Sequence, residues 1–193
     1  IPWAKKNIPA IVEAWQLGSQ SGNAVAQVLY GDYNPSGKLP MTFPRSIGQV
    51  PIYYNHKSTG RPNLPSADFV FWSHYQDESN EPLWAFGHGL SYSSFNYSNL
   101  RVVNKYKSDK IIEVHVSIKN ISKIKGKEVV QLYLKDNFSK VVRPVKELKA
   151  FHLLELEPNT SKEIIFELND NDIGFYDNQG NWFIEQGNFE LFV

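Results

Sequence analysis

From Phe95 onward, apolar and polar positions alternate with a period of two. Ile112, Val114, Val116 and Ile118 alternate with Glu113, His115 and Ser117, and Val130, Leu132 and Leu134 alternate with Gln131 and Tyr133. Ile164, Phe166 and Leu168 do the same with Ile165 and Glu167. Successive side chains of a strand point to opposite faces, so each set predicts a strand with one face in a core. Turn residues punctuate the run at Lys107-Ser-Asp109, Lys125-Gly126, Pro158-Asn159, Asn169-Asp170 and Asn178-Gln-Gly180. About seven short strands over roughly a hundred residues predict an immunoglobulin-like β-sandwich of the fibronectin type III kind, with a small β-barrel as the nearest alternative.

The front of the chain has a different rhythm. Residues 8–17, IPAIVEAWQL, form a short apolar run that reads as a strand, and Gly18-Ser-Gln-Ser-Gly22 reads as the loop after it. Val25, Val28 and Leu29 then fall at helical spacing, with Gly31 at the position of a C-terminal glycine. Asn34-Pro-Ser-Gly37 makes a second turn, and the prolines at 40 and 44 confine Lys38-Leu-Pro-Met-Thr-Phe43 to an edge or to irregular extended chain. Residues 1–44 therefore read as the tail of an α/β layer, because one strand and one helix leave an apolar face uncovered. Residues 45–94 keep no period, yet hold Tyr53, Tyr54, Phe69, Phe71, Trp72, Tyr75 and Trp84. So aromatic a stretch predicts an ordered connecting segment laid over a neighbouring surface. The expected fold is mainly β, with units at 1–44, 45–94 and 95–193.

Composition narrows the function. Twenty basic residues against twenty acidic ones give zero formal charge, which argues against nucleic acid and anionic membrane as partners. No apolar run approaches a membrane span, and IPWAKKNIPA lacks signal-peptide anatomy and reads as the middle of something. The absence of cysteine removes disulfides, thiolate metal sites and a cysteine nucleophile. His56, His88, His115 and His152 show no ligand spacing, so they read as structural or solvated, and no metal or cofactor is expected. Four Asn-X-Ser patterns, at Asn96, Asn120, Asn137 and Asn159, match the glycosylation acceptor by chance frequency alone. Lys123-Ile-Lys-Gly-Lys127 reads as a solvated hairpin tip.

The run AIVEAWQLGSQSGNAVAQVLYGDYNPSGKLPMTFPRSIGQVPIYYNHKSTGRP, with PLWAFGHGLSYSSFNYSNL, VVQLYLKD, RPVKELKAF and the closing GNFELFV, resembles the C-terminal part of glycoside hydrolase family 3 enzymes. The likeness is strongest to bacterial periplasmic β-glucosidases. It implies a retaining hydrolase that releases terminal β-linked glucose from β-glucosides or oligosaccharides, in a bacterial periplasm or secreted. It also implies an N-terminal barrel and the rest of an α/β sandwich domain as partners in the same polypeptide. A β-xylosidase specificity is the alternative within the family. Outside it stands a non-catalytic module whose fibronectin-like domain binds sugar or protein; residues 1–44, which a free-standing sandwich does not need, favour the hydrolase. A brace or a homodimer contact is the third role open to the sandwich domain.

Retaining glycoside hydrolysis uses two carboxyl groups about 5 Å apart. Family resemblance places the nucleophilic Asp on the barrel and the acid/base Glu early in the α/β domain, so neither is expected here. Ser108-Asp109, followed by Lys110, reads as a polar turn and is rejected as the nucleophile. The chain alone is therefore expected to be inactive. The most site-like stretch is Phe71-Trp-Ser-His-Tyr-Gln-Asp-Glu78, where Trp72 and Tyr75 offer aromatic faces to a sugar and Asp77 or His74 offers hydrogen bonds. Related enzymes carry a stretch close to Ser-Arg-Tyr-Phe-Asp; Tyr75 and Asp77 fit it, while His74 and Gln76 depart. The plainer reading has these residues packing a domain junction, and has Arg61 in a structural ion pair.

Overall fold

The structure is a computed structural model that describes residues 1–62, 69–109 and 111–193. The expectations that touch Lys110, residues 63–68 and the side chains of Phe69 and Asp109 lie outside what it describes.

The alternating segments form the predicted strands. β1 (Phe95–Lys105), β2 (Ile111–Asn120) and β5 (Ser161–Leu168) make one antiparallel sheet in the order β1-β2-β5. β3 (Gly126–Asp136), β4 (Glu147–Leu156) and β8 (Phe189–Phe192) make the second, in the order β4-β3-β8. A hairpin of β6 (Phe175–Tyr176) and β7 (Trp182–Phe183) stands beside them. The core lies between the two sheets, where Val114, Val116 and Ile118 of β2 meet Val130 and Leu132 of β3, Leu154 and Leu156 of β4, and Ile164, Phe166 and Leu168 of β5. Every one of these positions was marked by period two except Leu154 and Leu156. Burial of each such side chain contributes roughly 1.5–3 kcal/mol, which is why the register is unambiguous.

Two predicted turns close as single helical turns, α3 (Tyr106–Asp109) and α4 (Asp170–Ile173). The second has a capping box: Asn169 accepts from Asn171 N, and Asp172 accepts from Asn169 N. Residues 123–125 are exposed, as the solvated reading expects, but the hairpin part of that expectation is corrected. The turn joins strands of different sheets and is engaged on both sides, with Lys125 Nζ on Glu155 and Glu157 and Lys127 Nζ over the Tyr33 ring.

At the front, α2 (Ser21–Tyr30) forms as the spacing predicts and ends at Gly31 in the left-handed region, φ 84°. The strand expected at 8–17 is absent. Instead α1 (Pro2–Asn7), with proline in its first turn, is followed by irregular chain. A strand exists only where a neighbour completes its ladder, and among the described residues none pairs with 8–17. Ile8, Ile11, Val12, Trp15 and Leu17 are consequently exposed.

The extended piece at 38–43 does pair, as an edge, with residues 83–88. Leu39 N donates to His88 O, Gly87 N to Leu39 O, and Phe43 N to Trp84 O, each at 2.8 Å. Several contacts fasten this ladder, and the turn before it, to the sandwich, among them a hydrogen bond from Gln131 Nε2 of β3 to Gly87 O at 3.1 Å. Asn34 accepts from Ser91 Oγ and Tyr92 N through its amide oxygen, and donates to Ser93 Oγ and Lys125 O through its amide nitrogen. Lys38 pairs with Glu128 at 3.2 Å, and Tyr97 donates to the same carboxylate at 2.9 Å. Burial first, then the Glu128 charge, pushes the Tyr97 hydroxyl above its ordinary pKa, so it stays a donor. Finally Tyr54 stacks on Phe86, centroids 4.2 Å apart, and meets Tyr133 of β3 edge-on. Gly87, at φ 80°, lies so close to Gln131 and Tyr133 that a Cβ there would collide with both. His88 sits within this fastening; burial, then Lys38 and Lys5, lower its pKa, so its imidazole is neutral at pH 7.

Candidate functional site

The segment from Trp72 to Glu81 walls an open depression of about 420 Å³. Its shape comes from side chains distant in sequence. Gln49, buried in a short 3₁₀ turn at Ile47–Gln49, donates to Ser79 O at 2.8 Å and accepts from Arg45 N at 2.6 Å. Arg45 Nε donates to Glu81 O at 2.8 Å and lies 3.9 Å from the Glu78 carboxylate. Asn80 closes the loop on itself, donating to Ser73 O and accepting from Tyr75 N. Backbone polar groups that would otherwise force the loop open are thereby satisfied.

All three candidate sugar-contacting residues line this depression. Trp72 is half-buried, its ring 4.9 Å from that of His74, and His74 Nδ1 donates to Trp72 O at 2.8 Å. His74 is thus held against the tryptophan rather than offered to a ligand. Tyr75 is 43% exposed. Asp77 is exposed. Its carboxylate has no hydrogen-bond or ion-pair partner among the described residues. Arg61 takes no ion pair among the described residues either; its contribution is a carbonyl that accepts from Ser73 N at 2.8 Å. Chemically, the depression offers one open aromatic face, one half-open indole and a free anionic acceptor. That set suits a polyhydroxylated ring with both C–H and O–H faces. Among the described residues no group of three or more His, Asp or Glu is placed to hold a metal ion.

Gln49, Arg45 and Asn80, which shape the site, were not marked by any pattern. Polar residues in irregular chain reveal their partners only after folding; the single local hint was Ser79-Asn80 as turn formers.

Residues 1–92 match the glycosyl hydrolase family 3 C-terminal domain, and residues 128–193 match a fibronectin type III-like domain. The chain is 42% identical over 185 residues to a periplasmic β-glucosidase of Salmonella typhimurium, covering 95% of the chain and 24% of that relative. It is 37% identical to a putative β-xylosidase of Formosa agariphila over 95% of the chain and 23% of that protein. In structure it is similar to a β-glucosidase of Listeria innocua crystallised with isofagomine, with a TM-score of 0.85 and 42% identity over 92% of this chain and 25% of that one. The chain spans about a quarter of the length of the curated relatives it matches.

Proposed function

The chain belongs to glycosyl hydrolase family 3, through that family's C-terminal domain and a fibronectin type III-like domain, and from this premise we propose that it serves a retaining β-glucosidase. In this reading the enzyme releases terminal β-linked glucose from β-glucosides or oligosaccharides. Residues 1–44 close an α/β layer, residues 45–94 carry a sugar-contacting loop, and residues 95–193 brace it. The nucleophile and the acid/base come from a barrel and an α/β domain of the same polypeptide. The periplasmic name of the Salmonella relative supports a periplasmic or secreted setting.

The observation that carries the role of the loop is the depression itself, with Tyr75 open and the Asp77 carboxylate unengaged. Tyr75 stacks on the C–H face of a pyranose, Trp72 walls the same space, and Asp77 accepts from ring hydroxyls. These residues bind and orient; none moves a proton in the reaction. Loss of either contact removes binding that ground state and transition state share, so it raises KM more than it lowers kcat.

The test is hydrolysis of chromogenic aryl β-glucoside and β-xyloside by the 193-residue chain, beside a longer polypeptide that joins it to a family 3 barrel and α/β domain. The chain alone is expected to be silent and the longer polypeptide to prefer the glucoside, with Tyr75→Ala and Asp77→Ala each raising KM about three- to tenfold. Unchanged KM and kcat in both variants ends the subsite role. Preference for the xyloside moves the specificity to β-xylosidase. Turnover by the chain alone places the catalytic pair among Asp32, Asp77, Glu78 and Glu81 and overturns the domain assignment.

A further inference from the structure

The hairpin of β6 and β7 presents two faces of unlike character. On one, Phe175 and Phe183 meet edge to face at 5.5 Å, Arg143 lies over Phe175 and Lys140 over Phe183. On the other, the cross-strand pair Tyr176 and Trp182 stands in solvent, 65% and 44% exposed, with ring centroids 5.1 Å apart and planes at 70°. Two large aromatics at one exposed cross-strand position are a costly use of a surface unless something covers them.

The indole is held in place. Gly174 packs against its six-membered ring so closely that a Cβ at this glycine would collide with the Cζ2 and Cε2 atoms. Tyr176 buttresses it from the neighbouring strand. The connecting turn is equally set. Asp177 accepts from Gln179 N, Asn181 N and Asn181 Nδ2, and the hydrogen bonds from Asn181 lead in holding its carboxyl below the usual carboxylate range. Its charge is therefore spent on the turn. Asn178 and Gln179, in the turn that joins the two strands of the ring pair, are exposed, and their side-chain amides take no partner among the described residues. The result is a pre-set aromatic platform with exposed neutral donors and acceptors in the adjoining turn and no uncommitted charge in that turn.

We propose that Tyr176 and Trp182, with the amides of Asn178 and Gln179, form a second carbohydrate-binding surface that takes a neutral pyranose of a glucan chain, separate from the loop at 71–81. An aromatic platform with uncharged hydrogen-bonding groups in the adjoining turn complements a neutral polyhydroxylated ring and offers no positive charge to hold a phosphate. The choice of a β-linked glucan as occupant rests on the functional reading above; the platform's chemistry does not. Its role is to hold polymer near the enzyme by a contact that takes no part in hydrolysis, raising the effective concentration of chain ends.

Affinity electrophoresis of the full 193-residue chain in gels holding a soluble β-1,3-glucan, with dextran as the α-linked control, tests this. The chain is expected to be retarded by the β-glucan, and Trp182→Ala and Tyr176→Ala each to weaken retardation about tenfold, while Tyr75→Ala leaves at least part of it. Because Trp182 also packs on Gly174, the decisive variants are Tyr176→Ala and the pair Asn178→Ala/Gln179→Ala, whose side chains are exposed. Absence of retardation in the unaltered chain, or retardation indifferent to all of these variants, overturns the proposal. Retardation abolished by Tyr75→Ala and untouched by Tyr176→Ala also overturns it, and leaves the loop reading standing. Equal retardation in dextran keeps the platform and removes the β-linked preference.

Discussion

Asn34 shows how one side chain in a proline- and glycine-rich turn joins distant parts of the chain. Its amide makes four hydrogen bonds to the segment at 91–93 and to the turn at 125, spanning 57 to 91 positions in sequence. Replacement by Ala leaves the Lys125 carbonyl, the Tyr92 N–H and the Ser91 hydroxyl to water in a half-buried crevice. Asn34→Ala is expected to lower stability by about 1–3 kcal/mol, read as a lower urea midpoint with little change in slope. A midpoint within error of the unaltered chain would mean that the Lys38–Glu128 pair and the Tyr54 stack hold the junction without it.

At the scale of elements, the outer face of the β1-β2-β5 sheet carries a charged strap. Arg101 of β1 lies 2.8 Å from His115 Nδ1 and pairs with Glu163 of β5 at 3.1 Å; His115 Nδ1 is also 3.4 Å from Glu163, His115 Nε2 meets Glu113 at 3.1 Å, and Lys105 pairs with Glu113. Hydrogen bonds from Lys105 and then His115 lower the pKa of Glu113; those from His115 and then Arg101 lower that of Glu163. A carboxylate whose folded pKa is depressed adds stability that is present above the unfolded value, here 4.5, and lost as pH falls through the folded value. The double variant Glu113→Gln/Glu163→Gln is therefore expected to lose less stability than the unaltered chain between about pH 5 and pH 2, with the two curves farthest apart near neutrality. Parallel curves across that range would show that the strap contributes nothing to acid sensitivity.

At the scale of the whole molecule, order is unevenly distributed. The sandwich closes on a continuous core, whereas Ile8, Ile11, Val12, Trp15, Leu17, Leu29 and Tyr30 present exposed apolar surface. Ties toward the sandwich run from Val28, whose carbonyl accepts from the Tyr92 hydroxyl, through Tyr33 beneath Lys127, to Asn34 and Lys38. Limited proteolysis of the isolated chain is expected to cut first ahead of Gly31 and to leave a resistant product that contains residues 95–193. First cuts inside the sandwich, with residues 1–30 intact, would contradict this.

The β-sandwich, the helix at Ser21–Tyr30 and the edge character of 38–43 were determined by the sequence alone, because alternation, helical spacing and proline act within a few residues of themselves. The family, too, was legible in its ordered motifs. Other features needed the folded chain. The apolar run at 8–17 is locally a good strand and is not one, since a strand needs a partner that no local pattern supplies. The turn at 123–127 reads as a hairpin tip by composition, yet it joins two sheets, and Glu155, Glu157, Tyr33 and Asn34 converge on it from two other segments. Trp72, Tyr75 and Asp77 were legible as sugar-like residue types, but the depression that gathers them depends on Gln49, Arg45 and Asn80. Tertiary structure alone decided that shape, because hydrogen bonds between irregular segments are set by which backbone groups burial leaves in need of a partner.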